Sequence, residues 1–377
     1  MQAAYRTLLA LSAACALGAA GALILGHGIA STGPFVVGGL VTLALGSRAI
    51  PLLSQLTFTI WIFVSVAVAM YYPQYFLTAG DFELTRLIVP LIMIIMFGMG
   101  TSMSLRDFGA VAKMPRAVLV GLVCQFTIMP LVGLTIAWTF GFPDEVAAGI
   151  VLVGSVSGGV ASNVMAYIAR ANLALSITMT AVSTLAAPLM TPLLMQVLAG
   201  QFVPVDFVAM MLSVAQIVLL PIVLGLIVNR LLDGRARWLS EAMPLLSMAA
   251  IAIVLTIIVA AGRDNLLIIG PLLFVAAILH NAIGYLLGYW GGRAVGMDEQ
   301  SCRTIALEVG MQNGGLATGI AANMGMASTV GLAPAIFGPW MNISGSALAN
   351  WWRNKPDPEE SELTHEDAPV AIPSGLA

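Results

Sequence analysis

Twelve apolar runs of membrane length, or close to it, constrain the fold of this chain more than any other feature. They fall near residues 7–26, 34–47, 54–72, 86–101, 117–139, 146–168, 173–198, 207–229, 242–261, 266–291, 303–323 and 331–351. About 20 helical residues cross an apolar layer about 30 Å thick. Every run except 34–47, which is short and glycine-rich, is therefore expected to span it. We predict an all-α polytopic membrane protein.

Composition supports this class and excludes others. Only 9% of the 377 residues are charged and 59% are hydrophobic, whereas soluble domains carry about 25% charged residues. A net charge of −3 without a basic patch indicates no nucleic-acid partner. The expected partner is the lipid bilayer, and we expect a monomer. Cys15, Cys124 and Cys302 show neither metal nor disulfide spacing, and packing roles are expected for them.

Positive charge is unequally divided between the two sides of the membrane if every run from residue 54 onward crosses once. One side holds Arg48, Arg106, Lys113, Arg116, Arg170, Arg230, Arg235, Arg237, loop residues Arg293 and Arg303, and Arg353 and Lys355. The other side holds Arg86 and Arg263. This bias predicts a multi-pass protein of the inner membrane with its C-terminus in the cytoplasm.

The two ends of the chain fall outside the main series of runs. Residues 1–50 are predicted to form an extra hydrophobic hairpin, although run 7–26 by itself could resemble a signal sequence. The acidic, proline-containing segment 353–377 is predicted to be a disordered cytoplasmic tail.

Glu308 is the only acidic residue inside one of the runs. A carboxylate at membrane depth costs about 2.5–3.5 kcal/mol on insertion scales, so a cation or polar groups must compensate it. The residues around it, 308–315, are rich in oxygen donors and helix breakers. This combination predicts an ion site in a transporter. The alternative is that Glu308 carries a proton.

An internal repeat supports a transporter. The ten runs from residue 54 onward divide into five in 52–200 and five in 205–352, so the second half enters the membrane with opposite orientation. Segments 154–162 and 310–318 both read Gly-x-x-x-Gly-Gly-apolar-Ala-hydroxyl, each in the fourth run of its half. Such interruptions mark transporter sites, because broken helices expose carbonyls to cations and amides to anions. Alternatively, the glycines only allow close helix packing.

Several long motifs resemble the bile acid:sodium symporter family. They are segment 158–180 (GGVASNVMAYIARANLALSITMT), Ser183-Thr184-Leu185, the stretch 188–192, segment 308–313 (EVGMQN), and 96–100 (MFGMG) followed by 104–108 (SLRDF). The resemblance covers about residues 52–352 and implies a ten-helix core of two inverted five-helix repeats with two crossing broken helices. The first two helices of each repeat would form a panel domain and the other three a core domain. Many members have proline where this chain has Ser157, and the segments before residue 50 are an addition.

Members of that family import organic anions such as bile acids, pantoate or other carboxylates, driven by sodium. The resemblance therefore implies symport of a small organic anion, by alternating access, with two sodium ions. One sodium site would use Ser162, Asn163, Ser176, Thr180 and Glu308, and the second Gln125, Glu308, Gln312 and the carbonyls of Val309 and Met311. Spacing agrees in part, since Ser176 and Thr180 share a helix face. The alternatives are back-bonding of these hydroxyls and a helix–helix contact for Gln125.

The candidate substrate contacts are Asn313, Asn342 and the backbone amides near Val160 and Ala161. His280 either contacts the substrate or bonds a neighbouring backbone group. We expect no enzyme: a serine hydrolase pairing Ser157 with His280 would lack Gly-x-Ser-x-Gly and a third triad member. The rival readings are a proton-coupled or exchange transporter that uses Glu308, and a membrane sensor that does not transport.

Overall fold

The computed structural model describes residues 2–26, 28–50, 53–54, 56–103, 113–232 and 237–355. Within these ranges the protein is helical apart from short connections and one two-stranded hairpin, β1 (Thr78–Ala79) and β2 (Phe82–Glu83). The motif 104–108 and the part of the predicted tail after residue 355 lie outside the described residues.

The helices follow the predicted runs closely. They are α1 (Gln2–Ile24), α2 (Gly33–Gly46), α3 (Thr57–Tyr71), α4 (Ile88–Ser102), α5 (Pro115–Phe140), α6 (Asp144–Ser155), α7 (Ala161–Ile168), α8 (Leu173–Leu194), α9 (Phe207–Val214), α10 (Leu220–Leu232), α11 (Arg237–Ala261), α12 (Arg263–Ala294), α13 (Glu299–Gly310), α14 (Gly314–Asn323) and α15 (Leu332–Arg353). A π-helical turn joins α9 to α10 in one 26-residue span. Eight spans in the described part of the chain are long and apolar enough to cross a membrane. The fold is therefore all-α and polytopic, as predicted.

The N-terminal hairpin packs against the rest of the protein through α3. Short 3₁₀ turns extend α2 at both ends, so that the helical segment Ile29–Ala49 is 21 residues long. Run 34–47, which was not expected to cross the membrane, is therefore part of a segment long and apolar enough to do so. The hydroxyls of Thr32 and Tyr71 lie 2.8 Å apart, and so do those of Ser47 and Thr57. These contacts fix both ends of α2 to α3.

Two of the runs are interrupted. Run 146–168 forms α6 and α7, which are separated by residues 156–160, and run 303–323 forms α13 and α14, which are separated by residues 311–313. By contrast, several helices continue through internal prolines: Pro130, Pro188, Pro192, Pro244, Pro271 and Pro339. Neighbouring helices can satisfy the backbone groups that a proline frees. The glycine motifs, and not the prolines, therefore mark the breaks.

The helices from α3 onward form two packed groups. In one, α4 packs against α10 and α11, and α11 packs against α3. A Cβ on Gly100 of α4 would lie 2.3 Å from a carbonyl oxygen of α10, and one on Gly225 of α10 would lie 2.4 Å from a carbonyl oxygen of α4, so these two backbones touch. In the other group, α5 packs against α6 and α12, and α12 packs against α13 and α15.

Several basic residues assigned to loops lie inside helices instead, among them Arg293 in α12 and Arg303 in α13. Arg303 is in α13 and only 3% exposed, and its Nε donates to Oε1 of Glu299 at 2.9 Å. The hydroxyl of Tyr289 donates to the other oxygen of Glu299 at 2.6 Å. The loop prediction for Arg303 was wrong because Glu299, one turn earlier, pairs with its guanidinium and so allows Arg303 to be buried within a helix.

Candidate ion and substrate site

The two helix breaks lie against each other and exchange backbone hydrogen bonds. The amide of Gly159 donates to the carbonyl of Met311 at 2.8 Å, and the amide of Asn313 donates to the carbonyl of Ser157 at 2.9 Å. A broken helix leaves amides and carbonyls without helical partners, and burying them unpaired is costly. Each break therefore satisfies part of the other through a short antiparallel bridge.

Close approach requires glycine at two positions of this crossing. A Cβ on Gly158 would lie 2.8 Å from Oε2 of Glu308, and a Cβ on Gly159 would lie 2.9 Å from the carbonyl oxygen of Gln312. Side-chain carbons do not approach other heavy atoms so closely. A side chain at either position would displace the carboxylate or push the breaks apart.

The carboxylate of Glu308 is buried beside the crossing, and only 1% of the residue is exposed. The hydroxyls of Ser162 on α7 and Ser176 on α8 each donate to Oε1 at 2.5 Å, and that of Thr180 donates to Oε2 at 2.8 Å. None of the ion pairs within the described ranges includes Glu308. Hydroxyl groups hold this carboxylate, and their lone pairs can turn toward a cation.

Asn163 completes this cluster of oxygen atoms. Its Oδ1 lies 2.8 Å from the hydroxyl of Ser176 and 3.3 Å from the hydroxyl of Thr180. All five residues predicted for the first sodium site therefore lie together, on α7, α8 and α13. The two α8 hydroxyls donate to Glu308 rather than to the preceding turn of their own helix. Hard cations bind such sets of oxygen ligands.

The residues predicted for the second sodium site lie near one another, but they mainly form hydrogen bonds with each other. Nε2 of Gln125 donates to Oε1 of Gln312 at 2.7 Å and to the carbonyl of Val156 at 3.0 Å. Nε2 of Gln312 donates to the carbonyl of Val309 at 2.5 Å. The Met311 carbonyl accepts the amide of Gly159 in the opposite break. Among the hydrogen bonds of the described residues, none joins the Glu308 carboxylate to these two glutamines.

A cavity of about 370 Å³ opens on the other side of the crossing, between the two helix groups. All four substrate candidates line it: Val160, Ala161, Asn313 and Asn342. The first residues of α7 and α14 lie at its surface, and α3, α4 and α11 supply apolar walls. None of the described residues that line it is charged. The two helix N-termini at its surface carry positive partial charge, which suits an anion.

His280 and Ser157, the pair considered for a hydrolase, bond to different partners. Nε2 of His280 lies 3.3 Å from the carbonyl of Met129, the backbone contact that was the alternative to a substrate role. The hydroxyl of Ser157 lies 3.3 Å from the hydroxyl of Thr184. The contacts of the described residues assemble no triad.

A polar network behind the second break was missed by the sequence reasoning. Nδ2 of Asn281 donates to the carbonyl of Gly310 at 2.7 Å, and Oδ1 of Asn281 accepts a hydrogen bond from Ser344. The hydroxyl of Tyr285 lies 3.2 Å from Oγ of Ser344. The available signal was the spacing of Asn281 and Tyr285, which are four residues apart in an apolar helix and therefore share a face.

Comparison with known proteins agrees with this geometry. A model of the Sodium Bile acid symporter family matches residues 89–270. The uncharacterized sodium-dependent transporter YocS of Bacillus subtilis (strain 168) is 41% identical over 300 residues, which are 79% of this chain and 91% of that protein. The probable sodium/metabolite cotransporter BASS1, chloroplastic, of Oryza sativa subsp. japonica is 34% identical over 308 residues, covering 82% of this chain and 75% of its own.

The similarity extends over most of this chain and most of the bacterial relative, and the relatives are transporters by name. The protein is accordingly a membrane transporter and not an enzyme. It belongs to the sodium bile acid symporter family.

Proposed function

We propose that the protein is a sodium-coupled symporter that imports a small organic anion by alternating access. One observation carries the proposal: the crossing of the two helix breaks separates a buried carboxylate–hydroxyl cluster from a cavity faced by two helix N-termini. A cation site and an anion site are thus built on the same unwound backbone. The names of the relatives support sodium as the coupled ion.

The first sodium ion would bind in the cluster around Glu308. The four side chains beside the carboxylate supply neutral oxygens: Ser162, Asn163, Ser176 and Thr180. A bound cation would neutralise the carboxylate where no basic side chain of the described residues does so. The attraction between the two charges would offset part of the cost of moving the carboxylate out of water.

The second sodium ion would need a rearrangement of two amides. Gln312 now places its nitrogen on the carbonyl of Val309, and Gln125 places its nitrogen on Oε1 of Gln312. Rotating the Gln312 amide would release the Val309 carbonyl from its hydrogen bond and turn Oε1 of Gln312 toward the same space, so that both oxygens could bind the ion. The opposite face of the Glu308 carboxylate would complete the site. This ion would therefore bind after the first has ordered the carboxylate.

The anion would bind in the cavity against the starts of α7 and α14. Oδ1 of Asn313 caps α14 by accepting from the amide of Leu316 at 3.0 Å. Its Nδ2 has no hydrogen-bond partner among the described residues and would donate into the cavity. The apolar walls, which include Ile92, Met96 and Val254, would hold the hydrocarbon part of the substrate. A carboxylate bound to a small or medium apolar body fits this surface.

The transport cycle would move one helix group against the other. The panel would comprise α3, α4, α9–α10 and α11, and the core α5–α8 and α12–α15. Each of the two inverted repeats, 52–200 and 205–352, would contribute its first two spans to the panel and its other three to the core. Sodium orders the breaks and so raises anion affinity, and the anion raises sodium affinity by the same factor. Two sodium ions entering from outside would drive uptake toward a cytoplasm that contains the C-terminus.

The proposal is tested by a thermal-shift screen of the purified protein with small carboxylates, in sodium and in choline. A ligand that binds only the folded state raises the unfolding temperature. We expect at least one carboxylate to stabilise the protein in sodium and to do so less in choline. Uptake of that carboxylate into vesicles, driven by a proton gradient in choline as strongly as by sodium, would instead establish the proton-coupled alternative.

A further inference from the structure

A polar triad on α12 and α15 connects the second helix break to α15, a helix that lines the cavity. We propose that its members, Asn281, Tyr285 and Ser344, are positioning residues that determine how strongly sodium binding and anion binding depend on each other. The inference rests on the proposed function and deepens it. The triad lies apart from the ion cluster, and none of its three residues is among the described residues that line the cavity.

The triad holds the end of α13. Gly310 is the last residue of that helix, and the amide that would bond its carbonyl, four residues on, belongs to Gly314. That amide donates to the carbonyl of Gln312 at 2.9 Å instead. Nδ2 of Asn281 takes its place at 2.7 Å from the Gly310 carbonyl, and Asn281 is only 1% exposed. The position of this helix end therefore depends on a side chain from α12.

The same side chain is bonded to α15. Oδ1 of Asn281 accepts from Ser344, and the hydroxyl of Tyr285 lies 3.2 Å from Ser344 Oγ and 3.4 Å from the carbonyl of Met341. Ser344 has one hydroxyl hydrogen and also lies 3.0 Å from the carbonyl of Trp340. The triad thus has two hydrogen-bond arrangements. In one, Ser344 holds Asn281; in the other, Ser344 bonds its own helix and releases Asn281.

Helix α15 also touches both binding sites. Met341 and Asn342 line the cavity, and Sδ of Met341 accepts a hydrogen bond from the amide of Gln312 at 3.1 Å. Gly345 packs so closely on Met311 that a Cβ there would lie 2.5 Å from its sulfur atom. An anion that shifts α15 therefore acts on the second break, and the triad determines whether the end of α13 follows.

Coupling between two ligands requires an element with two arrangements that both ligands bias. Sodium bound at the end of α13 would fix the Gly310 carbonyl and keep the amide of Asn281 directed at it. This favours the arrangement in which Ser344 donates to Asn281, and hence one position of α15 at the cavity wall. An anion that prefers this position strengthens sodium binding by the same factor.

The test follows the cavity wall while sodium alone is added. Gly338 of α15 lines the cavity, and a Cβ there meets nothing within 4 Å, so Gly338→Cys introduces a reporter thiol without a clash. The native cysteines are first removed by Cys15→Ser, Cys124→Ala and Cys302→Ala. Mass spectrometry then measures the rate at which an anionic methanethiosulfonate modifies this purified parent protein, in sodium and in choline.

We expect sodium to change the modification rate of the parent protein. In Ser344→Ala and in Tyr285→Phe, the ratio of the rates in sodium and choline should move toward one by about twofold or more, as for residues that modulate coupling. Tyr289→Phe is the matched control, because it also removes a tyrosine hydroxyl from α12, one turn after Tyr285. That hydroxyl lies outside the triad and donates to Glu299 at 2.6 Å. That variant should keep the parent ratio. All three variants should keep the sodium-induced rise in unfolding temperature, because none removes an ion ligand.

Two results would overturn the inference. One is a parent ratio that persists in both triad variants. The other is a parent protein that sodium stabilises against heat without any change in its modification rate. If sodium fails to stabilise even the unmodified protein, the proposed function itself is contradicted. Two conservative substitutions are used so that poor folding of one leaves the other to decide.

Discussion

Replacing Glu308 by glutamine separates the role of its charge from the role of its shape. In the sodium-free protein two effects oppose each other. Removing a charge at membrane depth gains about 2.5–3.5 kcal/mol. Three hydroxyls lose a charged acceptor, and each hydrogen bond falls from about 1.5–3 to about 1 kcal/mol, a total loss of about 1.5–6 kcal/mol. The two effects offset to within a few kcal/mol, so Glu308→Gln should unfold near the wild-type temperature in choline.

The response to sodium should differ sharply between the two proteins. Sodium at 100 times its dissociation constant stabilises a one-site protein by about 2.7 kcal/mol, which corresponds to several degrees in unfolding temperature. Glutamine cannot neutralise a cation, so Glu308→Gln should lose this shift. The assay is thermal unfolding followed by tryptophan fluorescence, with sodium exchanged for choline at constant ionic strength.

A matched control is the same substitution at an exposed position. Glu145 lies in the first turn of α6, the helix that precedes the first break, and is exposed. Glu145→Gln should keep the full sodium shift. A sodium shift of wild-type size in Glu308→Gln would show that the carboxylate is not the group that binds the cation.

Three further outcomes are expected. Gly158→Ala should reduce the sodium-induced rise in unfolding temperature at least as much as removal of one ion ligand, because the new Cβ would lie 2.8 Å from Oε2 of Glu308. The control, Gly270→Ala on α12, places its Cβ in open space. It should keep the sodium-induced rise and increase the free energy of unfolding by about 0.5–1 kcal/mol. Gln125→Leu should remove the second ion and lower the Hill slope of sodium-dependent uptake toward one, whereas an unchanged slope would exclude Gln125 as a ligand. Ser157→Ala should keep uptake, and the wild-type protein should resist serine-directed probes; labelling at Ser157 would revive the hydrolase.

Much of the architecture could be predicted because its causes are local. Helix α5 follows from a continuous apolar run. The breaks at 156–160 and 311–313 follow from Gly-Gly motifs that tolerate close backbone approach. The meeting of Glu308 with Ser176 and Thr180 was expected only through the family resemblance, because α8 and α13 are far apart in sequence.

What could not be predicted depends on contacts between distant helices. The residues of the second ion site were expected to direct their oxygens at a cation, but Nε2 of Gln312 donates a hydrogen bond to the carbonyl of Val309, three residues earlier. Arg303 was placed in a loop because charge counting does not register its partner Glu299. The hydrogen bond from Asn281 to Gly310 joins two helices whose contact no local pattern specifies.

The most direct test of the ion site is equilibrium binding of radioactive sodium to the purified protein. We predict saturable binding of two ions per chain in the wild-type protein, displaced by unlabelled sodium and not by choline. We expect no specific binding in Glu308→Gln and full binding in Glu145→Gln. Saturable binding of equal stoichiometry and affinity in Glu308→Gln would contradict the claim that a buried carboxylate at the crossing of two broken helices holds the driving ions.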